Sequence, residues 1–379
     1  MNKNNQTTAG IYIHFPFCKV KCGYCDFYSI TDKYDSIPGF IDSIINELEL
    51  YFRLYDTSKL TFDSIFLGGG TPSLIPSKDI ERVLSTLSEN INLSNVKEIT
   101  IEANPGESPK NRLKEYRDLG INRISFGFQS LDDKLLKFLD RLHKTNDCII
   151  AYNDARDSGF DNINTDMIFN IPNQKIETLV NDLNVITELA PEHISCYSLT
   201  VEKGTMLHYN VSKNIVKMPN ESLDKEMYNS TIETLKNAGY HQYEVSNYSK
   251  ENAECIHNLH YWNLDPYLAF GPSAHGYNGE SRWWNHRSLD KYMTDIKENK
   301  LPIQNQEKLT IENKFNEIIM NGLRTIEGIN LKRLNQLNHS YNFDTIINKW
   351  DDLIIEDNHL KLKDNNFILL DEITSELFV

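Results

Sequence analysis

The sequence predicts an α/β fold: a parallel sheet curling into an incomplete or full barrel, with a smaller α+β module after it. Three observations predict this. Short β-rich runs alternate with amphipathic helical stretches through roughly the first two-thirds of the chain. Each run ends in a polar or glycine-containing turn. Beyond about residue 300 the pattern changes to helices followed by a candidate hairpin.

The strand candidates are 11–15, 64–67, 98–102, 121–128, 162–169 and 193–199. Between them, 39–54 carries Phe40, Ile44, Ile45, Leu48 and Phe52 at three- and four-residue steps, which align on one helical face. Similar stripes occupy 78–88, 110–119 and 176–189. Six βα units with right-handed crossovers most simply close as an incomplete barrel of (β/α)6 type or a full one, with helices outside, and such barrels gather chemistry at the carboxyl ends of their strands. After about Lys203 the alternation stops. Residues 221–238 read as a long helix before an aromatic-rich segment over 239–284. Helices at 311–325 and 331–337, then 359–363 and 367–370 flanking Asp364-Asn365-Asn366 as a hairpin, suggest a winged-helix-like module. The expected organisation is therefore a barrel over 1–205, a barrel extension over 206–300 and a C-terminal module over 301–379.

A chain of 379 residues with 40% apolar and 25% charged residues suits a folded, enzyme-sized protein. The net charge of −15, from 54 acidic and 39 basic residues, repels phosphate backbones and argues against nucleic acid as a partner. The polar amino terminus lacks the order of a signal peptide, and no stretch nears the ~20 apolar residues of a membrane span, so a cytoplasmic location is expected.

Six cysteines are too few for a disulfide framework. Three fall in Cys18-Lys19-Val20-Lys21-Cys22-Gly23-Tyr24-Cys25, directly after the first strand. The C-x3-C-x2-C spacing packs three soft thiolates onto one loop, which suits iron–sulfur chemistry and leaves one metal corner open. A zinc site completed by His14 or a distant residue is the alternative. Lys19 and Lys21 would favour the thiolate forms, and Tyr24 and Phe27 could screen the site or belong to the core. Cys148, Cys196 and Cys255 read as buried small residues.

This loop, with an aromatic before its last cysteine, resembles the radical S-adenosylmethionine (SAM) superfamily. Gly68-Gly69-Gly70-Thr71-Pro72 at the end of the second strand resembles that superfamily's glycine motif, and glycine lets the backbone approach a ligand closely. Glu102 ends the third strand, Gln129 the fourth, Asp166 lies on the fifth, and Arg141 follows the fourth in Asp140-Arg141-Leu142-His143. A carboxylate suits an ammonium, an amide or acid suits ribose hydroxyls, and an arginine suits a carboxylate. The resemblance makes Tyr12, Tyr24, Gly69, Gly70, Thr71, Glu102, Gln129, Arg141 and Asp166 the candidates for holding SAM, and Cys18, Cys22 and Cys25 those for a [4Fe–4S] cluster. It also implies that an electron entering the cluster could cleave SAM to methionine and a 5′-deoxyadenosyl radical.

Over nearly the whole chain the motifs resemble the oxygen-independent coproporphyrinogen III oxidase group, and within it the HemW heme chaperones. The oxidases carry a further cysteine where this chain has Phe27, and a longer segment before the cluster loop than the 17 residues here. His257-Asn258-Leu259-His260-Tyr261-Trp262 resembles the HNxxYW signature tied to heme. Imidazole is a natural axial ligand of heme iron. His257 is the first candidate, with His260 and Cys255 as alternatives. Phe270-Gly271-Pro272-Ser273-Ala274-His275-Gly276-Tyr277 and Arg282-Trp283-Trp284-Asn285 also resemble segments of the group. The implied function is binding heme and passing it to acceptors such as respiratory enzymes, with an electron donor for the cluster and room for transient association with a membrane. The second reading is radical decarboxylation of coproporphyrinogen III to protoporphyrinogen IX; radical modification of RNA fits poorly with the charge.

Overall fold

The computed structural model describes residues 6–337 and 349–379; the reading of the amino terminus falls partly on residues 1–5, outside them. Six strands, β1 (Thr7–Phe15), β2 (Leu60–Gly69), β3 (Glu98–Ala103), β4 (Arg123–Gln129), β5 (Asn162–Phe169) and β6 (His193–Ser198), pair in sequence order, every pair parallel. Helices α1 (Ile37–Leu54), α2 (Ser77–Asn90), α3 (Lys110–Asp118), α4 (Asp133–Phe138), α5 (Thr145–Asp157) and α6 (Ile176–Leu189) lie in the crossovers. All six predicted strands are present, and the fifth has the predicted bounds. The stripe on α1 packs as its spacing requires: Phe40, Ile44 and Leu48 are fully buried, while Ile45 and Phe52 sit at the edge of the same core. Each such apolar side chain removed from water contributes about 1.5–3 kcal/mol.

The curl does not close. After α7 (Met206–Ser212) and α8 (Glu221–Asn237), β7 (His241–Glu244) and β8 (Asn247–Ser249) add antiparallel strands beside β6. Helix α9 (Ile256–Asn263) then leads into β9 (Tyr267–Phe270), which joins the outer side of β1 in parallel. β10 (His275–Tyr277) and β11 (Ser281–Asn285) follow, then α10 (Leu289–Lys297) and β12 (Ile303–Lys308), so that the described residues form one open sheet of 12 strands. Of the two closures the sequence allowed, the partial barrel is the one formed.

Glu47 of α1 ties this extension to the barrel. Its carboxylate accepts hydrogen bonds from the Gly271 amide (2.8 Å), the Asn285 side chain (2.7 Å) and the Tyr292 hydroxyl (2.6 Å). Burial outweighs those bonds and pushes its pKa to about 7 from 4.5. The folded protein then holds a proton that the unfolded chain releases near 4.5, so this residue's share of stability falls as pH rises from about 4.5 to about 7 and is level above that. Thermal melts across that range should show the wild type losing stability relative to Glu47→Gln. Parallel curves would contradict the assignment.

The carboxyl-terminal residues form a second hydrophobic cluster around Phe315, Ile319, Leu323, Leu360 and Ile373. It contains α11 (Ile311–Leu323), β13 (Ile329–Asn330), α12 (Leu331–Asn335) and the strands β14 (Leu353–Glu356) and β15 (His359–Leu362) in the order β13-β15-β14, all antiparallel. The predicted hairpin is displaced. β15 turns back onto β14 across Asp357-Asn358, both left-handed at φ 46° and 64°, the two-residue turn whose twist matches that of paired strands. Phe367–Leu369 is a 3-10 turn entering the helix Leu370–Leu377. Among the described residues, no helix is long and apolar enough to cross a membrane.

A candidate cluster and cofactor site in the barrel mouth

Alternation along β4 builds the site. Ile124, Phe126 and Phe128 are fully buried in the core, while Arg123, Ser125 and Gly127 line a cavity of about 890 Å3. From β5 Asn164 and Asp166 face it, and from β6 Ser195 and Tyr197. Polar side chains alternating with apolar ones on strands that are covered outside by helices are the sign of a barrel interior used for binding.

The cysteine loop closes one side of the cavity. It is anchored by the Cys18 amide on the Ile30 carbonyl (2.9 Å), the Gly23 amide on the Asp140 carboxylate (2.9 Å) and the Leu207 amide on the Gly23 carbonyl (2.8 Å). Cys18, Cys22 and Cys25 all line the cavity. Thr71 Oγ1 donates to the Cys18 sulfur at 3.6 Å and Arg141 Nη1 to the Cys22 sulfur at 3.8 Å. Among the described residues, no three His, Cys, Asp or Glu side chains converge tightly enough for a single metal ion. His14, the nearby candidate for completing a zinc site, has Nε2 2.8 Å from the Tyr28 carbonyl and Nδ1 3.0 Å from the Tyr12 hydroxyl. Three thiols on one cavity wall, with neighbouring donors aimed at two of the sulfurs, match the ligand set of an iron–sulfur cage that keeps one corner open.

The lysines of the loop are otherwise engaged. Lys19 pairs with Glu107 at 3.6 Å and Lys21 donates to the Phe27 carbonyl at 2.7 Å. Burial pushes the Cys18 and Cys25 thiols upward, so metal binding itself must displace their protons. Tyr24 is half-buried on the cavity wall, whereas Phe27 is 70% exposed at the rim and screens little. Cys148, Cys196 and Cys255 are buried as expected.

The glycine loop faces the cysteines. Gly69 has φ 113°, open to glycine, and a Cβ on Gly70 would lie 2.7 Å from the Phe17 carbonyl oxygen. Glu102 Oε2 accepts from the Gly69 amide at 2.9 Å, and burial, then the nearby Asp166 charge, pushes its pKa to about 7. Asp166 accepts from Asn164 Nδ2 (2.8 Å) and Ser125 Oγ (3.3 Å). Gln129 is left-handed at φ 69°, where the β4–β5 pairing bulges, a local strain that turns it to the cavity. Of the nine residues expected at SAM, eight line this cavity: Tyr24, Gly69, Gly70, Thr71, Glu102, Gln129, Arg141 and Asp166. Tyr12 does not; it packs against Phe66 and His257.

Asn104 was missed. Its amide donates to Thr71 Oγ1 (2.9 Å) and Glu107 (2.9 Å), and its oxygen accepts from Arg141. Arg123, Ser125, Asn164 and Ser195 were missed too, although a polar–apolar alternation inside buried strands was the available signal.

The heme motif lies elsewhere. His257 is 1% exposed, with Nδ1 3.0 Å from Ser64 Oγ and Nε2 2.9 Å from the Tyr261 hydroxyl. Gly10 makes room for it, since a Cβ there would stand 2.8 Å from the ring. His260 is held between Asp63 (2.7 Å) and Asp265 (3.3 Å); burial opposes its charged form, but those two partners outweigh it and lift the pKa to about 9. The buried Cys255 thiol points to Glu98 at 3.4 Å. None of these three candidate ligands lines the cavity, which from this helix Asn258 alone reaches.

Residues 12–186 match the Radical SAM superfamily. The chain is 34% identical to the heme chaperone HemW of Bacillus subtilis over 85% of each chain, and 40% identical to the heme chaperone HemW of Haemophilus influenzae over 70% of this chain and 69% of that one. It is 30% identical to the mitochondrial radical S-adenosyl methionine domain-containing protein 1 of Danio rerio over 96% of this chain and 86% of that one. The solved structure of coproporphyrinogen III oxidase (HemN) from Escherichia coli superposes with a TM-score of 0.84 at 19% identity, over 98% of this chain and 90% of that one, a likeness of fold. The chain belongs to the radical SAM superfamily and, within it, to the HemW family.

Proposed function

We propose that this protein binds heme and passes it to acceptor proteins such as respiratory enzymes, and that its barrel cavity holds a [4Fe–4S] cluster and SAM. The observation that carries the reading is the 34% identity with a heme chaperone over 85% of both chains. Cys18, Cys22 and Cys25 hold the cluster. Gly69, Gly70 and Thr71 cradle SAM from one side, with Tyr24, Glu102, Gln129, Arg141 and Asp166 around it and Tyr12 supporting from behind. A cluster held by these three cysteines would supply one-electron chemistry at the sulfonium of SAM, with an external electron donor as the source of the electron. The chain's own work is positional: Asn104 fixes Thr71 and Arg141, Glu102 fixes the glycine loop, and half-buried Tyr24 restricts water. Of the three-part organisation over 1–205, 206–300 and 301–379, with a winged-helix-like third part, the last boundary is supported by a second core whose members lie mostly beyond residue 300, joined by Leu264 and Tyr277 of the extension.

His257 serves as heme ligand in this reading only when α9 shifts, because both ring nitrogens are engaged and the ring is buried. Hemin titrated into the purified protein should produce a Soret band, and His257→Ala should weaken binding tenfold or more while His260→Ala and Cys255→Ala bind as wild type. Unchanged affinity in His257→Ala removes that ligand, and no binding by the wild type removes the function. Conversion of coproporphyrinogen III to protoporphyrinogen IX by the reduced, SAM-supplied protein would replace the chaperone reading with the oxidase one.

A further inference from the structure

Among the described residues, the Arg123 guanidinium has no hydrogen-bond partner. It is 2% exposed, its Nε has no partner, and the nearest carboxylate oxygen, Glu98 Oε2, stands 3.9 Å away, beyond hydrogen-bond reach. Glu98 is occupied with other work. Its Oε1 accepts from the His257 amide (3.3 Å) and the Cys255 thiol (3.4 Å), and its Oε2 from the Ile256 amide (3.1 Å), which caps the first turn of α9 from a neighbouring strand. An arginine offers five donors and cannot shed its charge, so burying one without acceptors is among the costlier arrangements a fold can keep. Arg123 also lines the cavity.

A second cation shares the cavity wall. Arg324 lays its guanidinium over the Trp262 ring at 4.8 Å and lies 3.5 Å from Glu244 Oε2, while its buried Nε has no partner. The other oxygen of Glu244 accepts from the Ser246 amide (2.9 Å) and from Asn247 (2.5 Å). The Trp262 of the heme-signature motif therefore reaches the cavity through the arginine stacked on it.

We propose that Arg123 anchors a carboxylate of the cavity's organic ligand, and that this carboxylate is a propionate of a tetrapyrrole, with Arg324 placed to meet the second one. The inference rests on the heme reading above. A carboxylate fits better than a phosphate. It is planar and matches the guanidinium fork with two parallel bonds, and its single charge is easier to accommodate where Asp166 and Glu102 share the wall than a dianion would be.

The test compares hemin with hemin dimethyl ester, whose propionates are esterified and uncharged, by spectroscopic titration of the full chain. The wild type should bind the diacid at least tenfold more tightly. Arg123→Met should bind both forms about equally, with the ester bound as by wild type, and Arg123→Lys should restore part of the preference. Circular dichroism and melting curves accompany each variant. Should Arg123→Met fail to fold, Arg123→Lys decides: a preference smaller than the wild type's supports the inference, and an undiminished one overturns it. Equal wild-type affinity for the two forms overturns the inference and leaves the heme reading standing, as does a preference that survives unchanged in a folded Arg123→Met. Failure of the wild type to bind either form overturns both.

Discussion

Replacing any one of Cys18, Cys22 and Cys25 with serine should abolish the broad visible absorption that anaerobic reconstitution with iron and sulfide gives the wild type. The expected effect is close to complete. The three thiols share one loop and one cavity wall, whereas Cys148, Cys196 and Cys255 are buried and lie on other elements, away from that loop. A serine hydroxyl is a hard donor that stays protonated and serves iron–sulfur cages poorly. The fold should survive, because the loop is held by backbone bonds at Cys18, Gly23 and Leu207 rather than by the sulfurs. Melting curves of the metal-free variants should therefore overlay the metal-free wild type. Retention of the absorption by a single-serine variant would show that its sulfur is not a ligand.

The second large effect concerns stability. Glu98→Ala should destabilise the protein by about 3–5 kcal/mol, the cost of breaking a buried ion pair by removing one partner. Two losses act together. Arg123 would lose its nearest carboxylate, and α9 would lose its cap, since Cys255 at the helix start offers no side-chain hydrogen bond of its own. Glu98→Gln keeps an acceptor for the helix amides and should cost less. Combining Glu98→Met with Arg123→Met should recover part of the loss, because no uncompensated charge then remains. Denaturation curves for the four proteins check this. A Glu98→Ala cost below about 1 kcal/mol, the scale of ordinary substitutions, would mean that the pair and the cap are incidental.

How much of this was legible in the residues follows from which signals are local. The β1–β6 strands and their helices are announced by periodicity within a dozen residues, and Cys18 to Cys25 and Gly68 to Pro72 are contiguous motifs whose chemistry needs no fold to be recognised. Strands β7 to β12 were not resolved as strands. They run three to six residues, and what makes them strands is pairing with β6, β1 and each other, partners far away in sequence. The hairpin was misplaced because two Asn- and Asp-rich turns lie close together and composition alone does not say which one the strands flank. Only that at Asp357-Asn358 sits between two of them. His257 shows a different limit. Its motif was visible, but the side of α9 that turns inward depends on how that helix packs against β1 and β2, where Gly10 and Ser64 receive the ring. Arg123 escaped notice because a charged residue near the start of a strand reads as solvent-facing until the strand proves to be buried on both faces.

The proposed function turns most on three thiolates holding a cubane whose fourth iron is free for SAM. Protein reconstituted without oxygen should contain iron and acid-labile sulfide in equal amounts, about four of each per chain, and after reduction its electron paramagnetic resonance spectrum should change when SAM is added. A single zinc per chain, an absence of iron, or a reduced-cluster spectrum indifferent to SAM would contradict it.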